Sequence, residues 1–224
     1  MTWLALIGLG AIVALDATSF GQLMLSRPFV AAALAGALVG QPLEGALVGA
    51  LLEAFSLGIL PVGASRYPDT GTAAVAAVGT LGLSEVVASA PALLLVVVYG
   101  LVWQRISGFS VIGGRYLNER LVLAGHTDTR ARMDRLIEHR HLESMLIDMA
   151  RGIVITTVAL LIGTWLLPFA LANWGLPHIA ATLAVSVAAV AVLAGTAPLF
   201  AESPRARVFL LLGLGFGSLL LLAQ

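Results

Sequence analysis

The chain has 224 residues, 59% of them hydrophobic and only 11% charged, and its mean hydropathy is +1.00. A soluble domain carries about 25% charged residues, so this composition excludes an ordinary water-soluble globule and points to a bilayer-embedded chain. A formal charge of +0 and a pI near 6.9 argue against nucleic-acid binding, and the absence of Cys excludes disulfides, thiolate metal sites and a phosphorylated Cys. Apolar runs approach the roughly 20 residues that cross about 30 Å of hydrocarbon. Backbone polar groups in lipid must pair internally, and no short alternating strands of the barrel type occur, so the runs read as helices. The expected fold is an all-α polytopic membrane protein of about six to eight apolar segments, some short, broken or re-entrant in the first third.

In chain order, Thr2–Phe20 forms the first apolar segment, with Asp16 near its end. It has no basic leader region and no small-residue cleavage site, so it reads as a span rather than a removed signal peptide. A polar break, Gly21-Gln22-Leu23-Met24-Leu25-Ser26-Arg27-Pro28, follows, and Pro28 suits a helix start because its missing N–H would be unpaired there anyway. Phe29–Gly40 and Ala46–Leu60 are apolar but short, with Gln41-Pro42-Leu43-Glu44-Gly45 between them. Twelve helical residues rise about 18 Å, too little to cross a bilayer. Short Pro/Gly-interrupted segments mark binding sites in transporters, so this pair reads as a re-entrant hairpin or as broken helices. The alternative is two ordinary spans in a thin or tilted arrangement.

A second break, Ser65-Arg66-Tyr67-Pro68-Asp69, precedes the short piece Gly71–Leu83 and the span Val86–Trp103. Residues 104–151 hold eight Arg, six acids and three of the four His. Met133, Leu136, Ile137, Leu142, Met145, Leu146 and Met149 recur at helical spacing there, so an amphipathic interfacial helix is expected. Three spans, Gly152–Ala172, His178–Phe200 and Val208–Ala223, complete the chain. The excess of Arg places 104–151 in the cytoplasm, and the basic loop 202–207 then falls on the same side. The organisation is therefore residues 1–103, a membrane region with the expected substrate site; 104–151, a cytoplasmic Arg-rich loop with an amphipathic helix; and 152–224, three C-terminal transmembrane helices.

The motif Gly21-Gln22-Leu23-Met24-Leu25-Ser26-Arg27-Pro28 is followed by Leu38-Val39-Gly40, Gly45 to Glu53, Leu57-Gly58, Val62-Gly63-Ala64 and Pro68-Asp69. This series resembles the IIC component of the mannose–fructose–sorbose phosphotransferase family in order and spacing. Weaker similarity continues through His141 to Gly152. The resemblance implies a sugar permease subunit in the bacterial inner membrane, multi-pass and trimeric by analogy. It would pair with a IID-like membrane subunit and with cytoplasmic IIAB-like proteins whose His residues carry the phosphoryl group. Met24 and Ser26 stand where the family has Gln and His, and Gln41 where it has an acid. Those departures motivate an alternative, an orphan homologue acting as a structural or regulatory membrane subunit.

Candidate substrate-binding residues are Gln22, Glu53 and Asp69, with Asp16, Arg27 and Ala64 in supporting positions. A carboxylate at the bilayer centre costs roughly 2.5–3.5 kcal/mol on insertion scales, so acids there face a bundle interior or a wet cavity. Glu53, preceded by Gly49 and Ala50, reads as a sugar-hydroxyl acceptor or an anchor for the re-entrant element; the plainer reading is a structural acid. Asp16, at a span end, can reach the interface. Arg27 is a site-positioning cation or a snorkelling side chain, and Gln22 a ligand amide or a cap. The glycine pairs Gly36–Gly40, Gly45–Gly49 and Gly213–Gly217 follow the small-xxx-small pattern of close helix contacts. His126, His139 and His141 read as part of a solvated face, and His178 as interfacial. No Ser–His dyad or His-Glu-x-x-His motif suggests intramembrane catalysis. No catalytic residue, metal or cofactor is expected.

Overall fold

The computed structural model describes residues 1–57, 68–123 and 130–175, with isolated positions beyond them; side chains are described to residue 121 and again from 137. Ala64, His126, His178, the pair Gly213–Gly217, loop 202–207 and nearly all of the last two expected spans lie outside the described residues. Among the described residues there are six α-helices and no strand: α1 Thr2–Thr18, α2 Pro28–Leu38, α3 Pro42–Ser56, α4 Thr70–Leu83, α5 Ala90–Leu123 and α6 Arg130–Ala172.

Helices α2 and α3 are short, as the sequence suggests, at about 16 and 22 Å, but the break between them is tighter than expected. It is Val39-Gly40-Gln41, and α3 already begins at Pro42. Proline is tolerated in the first turn, and Glu44 in that turn complements the positive helix end. Gly40, at φ +75°, ends α2 in a paired motif in which the Gln41 N–H donates to the Gly36 carbonyl at 2.8 Å. The two helices run antiparallel with backbones touching. A Cβ on Gly36 would lie 2.9 Å from the Gly45 Cα, and one on Gly45 would lie 2.6 Å from the Ala32 oxygen. This hairpin is too short to cross a bilayer out and back.

Helix α4 is the hub, packing on all the other five. Every residue from Gly71 to Leu81 is buried, and all are small or β-branched except Leu81. Small side chains let neighbours approach closely: a Cβ on Gly79 would sit 2.7 Å from the Leu160 side chain of α6. Leu6, Val13, Val48, Leu52, Val75, Val78, Val96 and Leu160 fill the spaces between helices. On the other side of α6, a Cβ on Gly152 would fall 2.6 Å from the Ala14 Cβ, which fixes α6 against the C-terminal half of α1.

The largest departure concerns 104–151. The expected divisions at 103/104 and 151/152 both fall inside continuous helices. Helix α5 passes Trp103 without interruption, and α6 runs into the apolar segment that the sequence reading began at Gly152. At 34 and 43 residues they rise about 51 and 64 Å. No proline falls within 104–151, the one inside α6 being Pro168, and charge density alone does not break a helix. The two helices are also inside-out in their patterning. On α6, Ser144, Asp148 and Arg151 turn inward, while Leu142, Leu146 and Met149 are exposed. On α5, Gln104 and Ser107 are buried, while Ile106, Phe109 and Leu117 are exposed. The apolar stripe of 137–149 is therefore real, but it belongs to the outer face of a long helix continuous with a span. It is not a separate helix lying in the interface.

Candidate functional site

The polar inner faces of α5 and α6 meet the end of α1 and the starts of α2 and α4. Where they meet there is a two-lobed cleft. The smaller lobe, about 150 Å³, is lined by Thr18, Arg27, Ser56, Asp69, Thr70 and Arg151 among others. The larger, about 680 Å³, is bordered by Asp16, Ser19, Gln22, Arg115, Asn118, Ser144 and Asp148. Both lobes share Ala17, Thr18, Ser26, Arg27 and Val111, so they adjoin along those residues. The larger volume falls within the roughly 300–1,000 Å³ of small-molecule pockets. A third cavity of about 370 Å³, beside Tyr99, Trp103 and Leu166, is walled almost wholly by apolar side chains. It lacks the converging polar groups that orient a hydrophilic ligand.

Asp16 shapes the upper wall. Buried at the end of α1, its carboxylate accepts from the backbone N–H groups of Leu23 at 2.5 Å and Ser26 at 2.9 Å. These bonds hold a loop whose Gly21, Gln22 and Met24 have φ of +89°, +48° and +65°. Positive φ is unfavourable for Gln and Met, and the buried carboxylate offsets that cost. The acid that the sequence let reach the interface instead anchors this loop, which puts Gln22 on the rim of the larger lobe.

Glu53 stands outside the cleft. It makes an ion pair with Arg27 and accepts from the Phe29 N–H at 3.3 Å, in the first turn of α2. The glutamate thereby ties the two ends of the hairpin together and fixes the arginine, which does line both lobes.

Asp69 caps α4, accepting from the Thr72 N–H at 3.4 Å. Its other oxygen accepts from Arg151 Nη1 at 2.6 Å, and the two side chains are 2% and 6% exposed. The backbone of Asp69 is also clamped to α5: its N–H donates to the Gln104 carbonyl at 3.0 Å, and its carbonyl lies 3.3 Å from the Ser107 hydroxyl, whose proton it shares with the nearer Trp103 carbonyl at 2.9 Å. Asp148 lies one helical turn before Arg151, with an oxygen 3.8 Å from its Nε. Asp148 in turn accepts from the Thr18 and Ser19 hydroxyls at 2.8 and 2.7 Å. One buried ionic cluster thus joins α1, α4, α5 and α6 beside the smaller lobe. Among the described residues no group of three or more His, Asp and Glu is arranged to hold a metal ion.

These features, a polar cleft beside a broken-helix hairpin in an apolar bundle, are those of a membrane transporter, and comparison with known families names the kind. The sequence model of a family described as the PTS system sorbose-specific IIC component matches residues 1–217. The chain belongs to that family. It is a membrane permease component of a phosphotransferase sugar-uptake system, a transport subunit. The match extends past the first third, where the motif resemblance is densest, through the long helices α5 and α6. No curated protein matches the chain.

In this IIC component the structure brings Asp16, Gln22, Arg27 and Asp69 to one cleft and leaves Glu53 behind Arg27. The cleft residues that sequence reasoning missed are Arg115, Asn118, Ser144, Asp148 and Arg151. Their signal was present: Ser144, Asp148 and Arg151 recur at i, i+4 and i+7, on one helix face. The apolar stripe beside them was read instead, and the polar one was assigned to water.

Proposed function

We propose that the two-lobed cleft is where this IIC component holds its sugar. The observation that supports this most is the inside-out patterning of α5 and α6. Helices that expose Ile106, Phe109, Leu142 and Leu146 while turning Ser107, Asn118, Ser144 and Asp148 inward build a polar cavity within an apolar exterior. A hexose needs such a place, because its hydroxyls demand hydrogen-bond partners that lipid does not supply. Gln22 and Arg27 are the ligand-facing groups of the larger lobe, and Asp69 of the smaller. Asp16 and Glu53 act one step behind, through the loop and through Arg27; Ala64 is retained as a supporting position.

The remaining parts of the reading rest on the family. The component works with a IID-like membrane subunit, and phosphoryl transfer takes place on separate IIAB-like proteins. It is a multi-pass protein of the bacterial inner membrane, assembled as a trimer. By the excess of Arg in 104–151, the larger lobe lies towards the cytoplasm, where those phosphorylating proteins would meet the sugar.

The test is equilibrium binding by the purified protein in nanodiscs, alone and with its membrane partner. The titrants are D-mannose, D-fructose, L-sorbose, an amino sugar and a hexitol. Binding that Gln22→Ala weakens, and that Glu53→Gln weakens less, supports this placement. Binding unaffected by Gln22→Ala, Arg27→Ala and Asp69→Asn together would move the site elsewhere, and no binding to any titrant would sink the reading.

A further inference from the structure

The Arg151 guanidinium has five N–H protons in a fixed planar fork. Only some of them find an acceptor among the described residues. Nη1 donates to Asp69 at 2.6 Å and to the Ser110 hydroxyl at 3.3 Å. Among the described residues Nη2, which is buried, has no acceptor, and Nε, 3.8 Å from the nearest Asp148 oxygen, has no hydrogen bond either. The residue is 8% exposed and lines the smaller lobe. Buried donors, above all those of a charged group, are normally paired, and structural arginines in ion pairs usually spend their fork on the carboxylate. Here Asp69 takes one side of the fork only. Its second oxygen faces the cap of α4, where it accepts from the Thr72 N–H, and no second bond to Arg151 closes a bidentate pair.

The ion pairs beside the cleft suit an uncharged ligand. Asp69 is paired with Arg151, and Glu53 with Arg27. A sugar, the ligand class of the cleft reading, is uncharged, and its oxygens supply acceptors to spare donors without disturbing those pairs.

We propose, building on the sugar-cleft reading, that Arg151 is a specificity-determining residue. Its free Nη2 and Nε protons donate to an oxygen of an uncharged hexose in the smaller lobe, while Asp69 and Asp148 hold the guanidinium in place. Arg151 thereby selects one hydroxyl position of the sugar. Sequence alone left this residue in a loop, and only the fold brings it to the cleft.

The experiment is a ligand–residue cycle on the protein with its membrane partner in nanodiscs. The probes are D-mannose, D-fructose and L-sorbose, each with its series of singly deoxygenated analogues. In the wild type, removing the oxygen that Arg151 contacts should weaken binding about 10- to 100-fold, the range of a hydrogen bond to a charged group. In Arg151→Lys, a compact ammonium without the planar fork, the same deletion should cost less than about threefold, while deletions elsewhere keep their wild-type cost. Because Arg151→Lys leaves two buried acids imperfectly matched, the double variant Asp69→Asn/Arg151→Gln, which removes both charges, provides the same comparison if the single variant misfolds. A uniform loss across parent sugars and all analogues in either folded variant would assign Arg151 a structural role and overturn the proposal. Unchanged selectivity would do the same. No binding of any parent sugar by the wild type would overturn the cleft reading itself, and this inference with it.

Discussion

The Asp69–Arg151 pair yields a stability prediction whose order, not just its size, follows from the geometry. Breaking a buried ion pair costs about 3–5 kcal/mol because it strands the remaining charge. Asp69→Asn removes one charge but keeps an oxygen for the Thr72 N–H, and the stranded Arg151 still has Asp148 at 3.8 Å. Its cost should fall near the lower end, about 3 kcal/mol. Arg151→Met strands two buried acids, of which only Asp148 is well supplied with hydroxyl donors, from Thr18 and Ser19. Its cost should lie near the upper end, about 5 kcal/mol. The double variant leaves Asp148 alone with those hydroxyls, so it should cost at least about 1 kcal/mol less than the sum of the singles. For a chain of this length 1 kcal/mol moves the midpoint by about 2–4 °C. Asp69→Asn should therefore lower the melting temperature in detergent by about 6–12 °C, and Arg151→Met by more. Circular dichroism melts of the four proteins at one protein and detergent concentration give the comparison. An Asp69→Asn penalty equal to or larger than that of Arg151→Met would refute the view that Asp148 is the reserve partner. Additive penalties would refute the pair itself.

Asp16→Ala removes the acceptor of the Leu23 and Ser26 N–H groups and should destabilise the loop at 19–27 by about 2–3 kcal/mol, as hydrogen bonds to a charged group do. Hydrogen exchange at those amides should accelerate accordingly, and unchanged protection would show that the three positive-φ residues hold themselves. In the hairpin, Gly45→Val should cost about 1–3 kcal/mol by overpacking, since its Cβ would meet the Ala32 carbonyl at 2.6 Å. Gly40→Ala has open space around its Cβ, so only its φ of +75° counts, about 1 kcal/mol. Thermal melts that ranked Gly40→Ala as the more damaging would contradict the close α2–α3 packing.

The membrane character and the helical class of this protein were readable from composition, because apolar content and the pairing rule for backbone in lipid leave few alternatives. The short pieces around Pro28 and Pro42 were readable as well, since proline and glycine act locally. So was membership of the IIC family, carried by motifs in the first third. The continuity of α5 and α6 was not. A run of charges looks alike whether it faces water beyond a span or lines a cavity inside a bundle, and local sequence does not say which face is inward. Nor could the sequence separate the roles of its acids. Asp16, Glu53 and Asp69 are alike as carboxylates near apolar segments, yet one holds a loop, one fixes Arg27 and one caps a helix while pairing with a residue 82 positions away. Such pairings are set by which helices touch, and that was decided by the glycines of the interfaces and by the burial of α4, which bring Arg151 to Asp69 only when the whole bundle has formed.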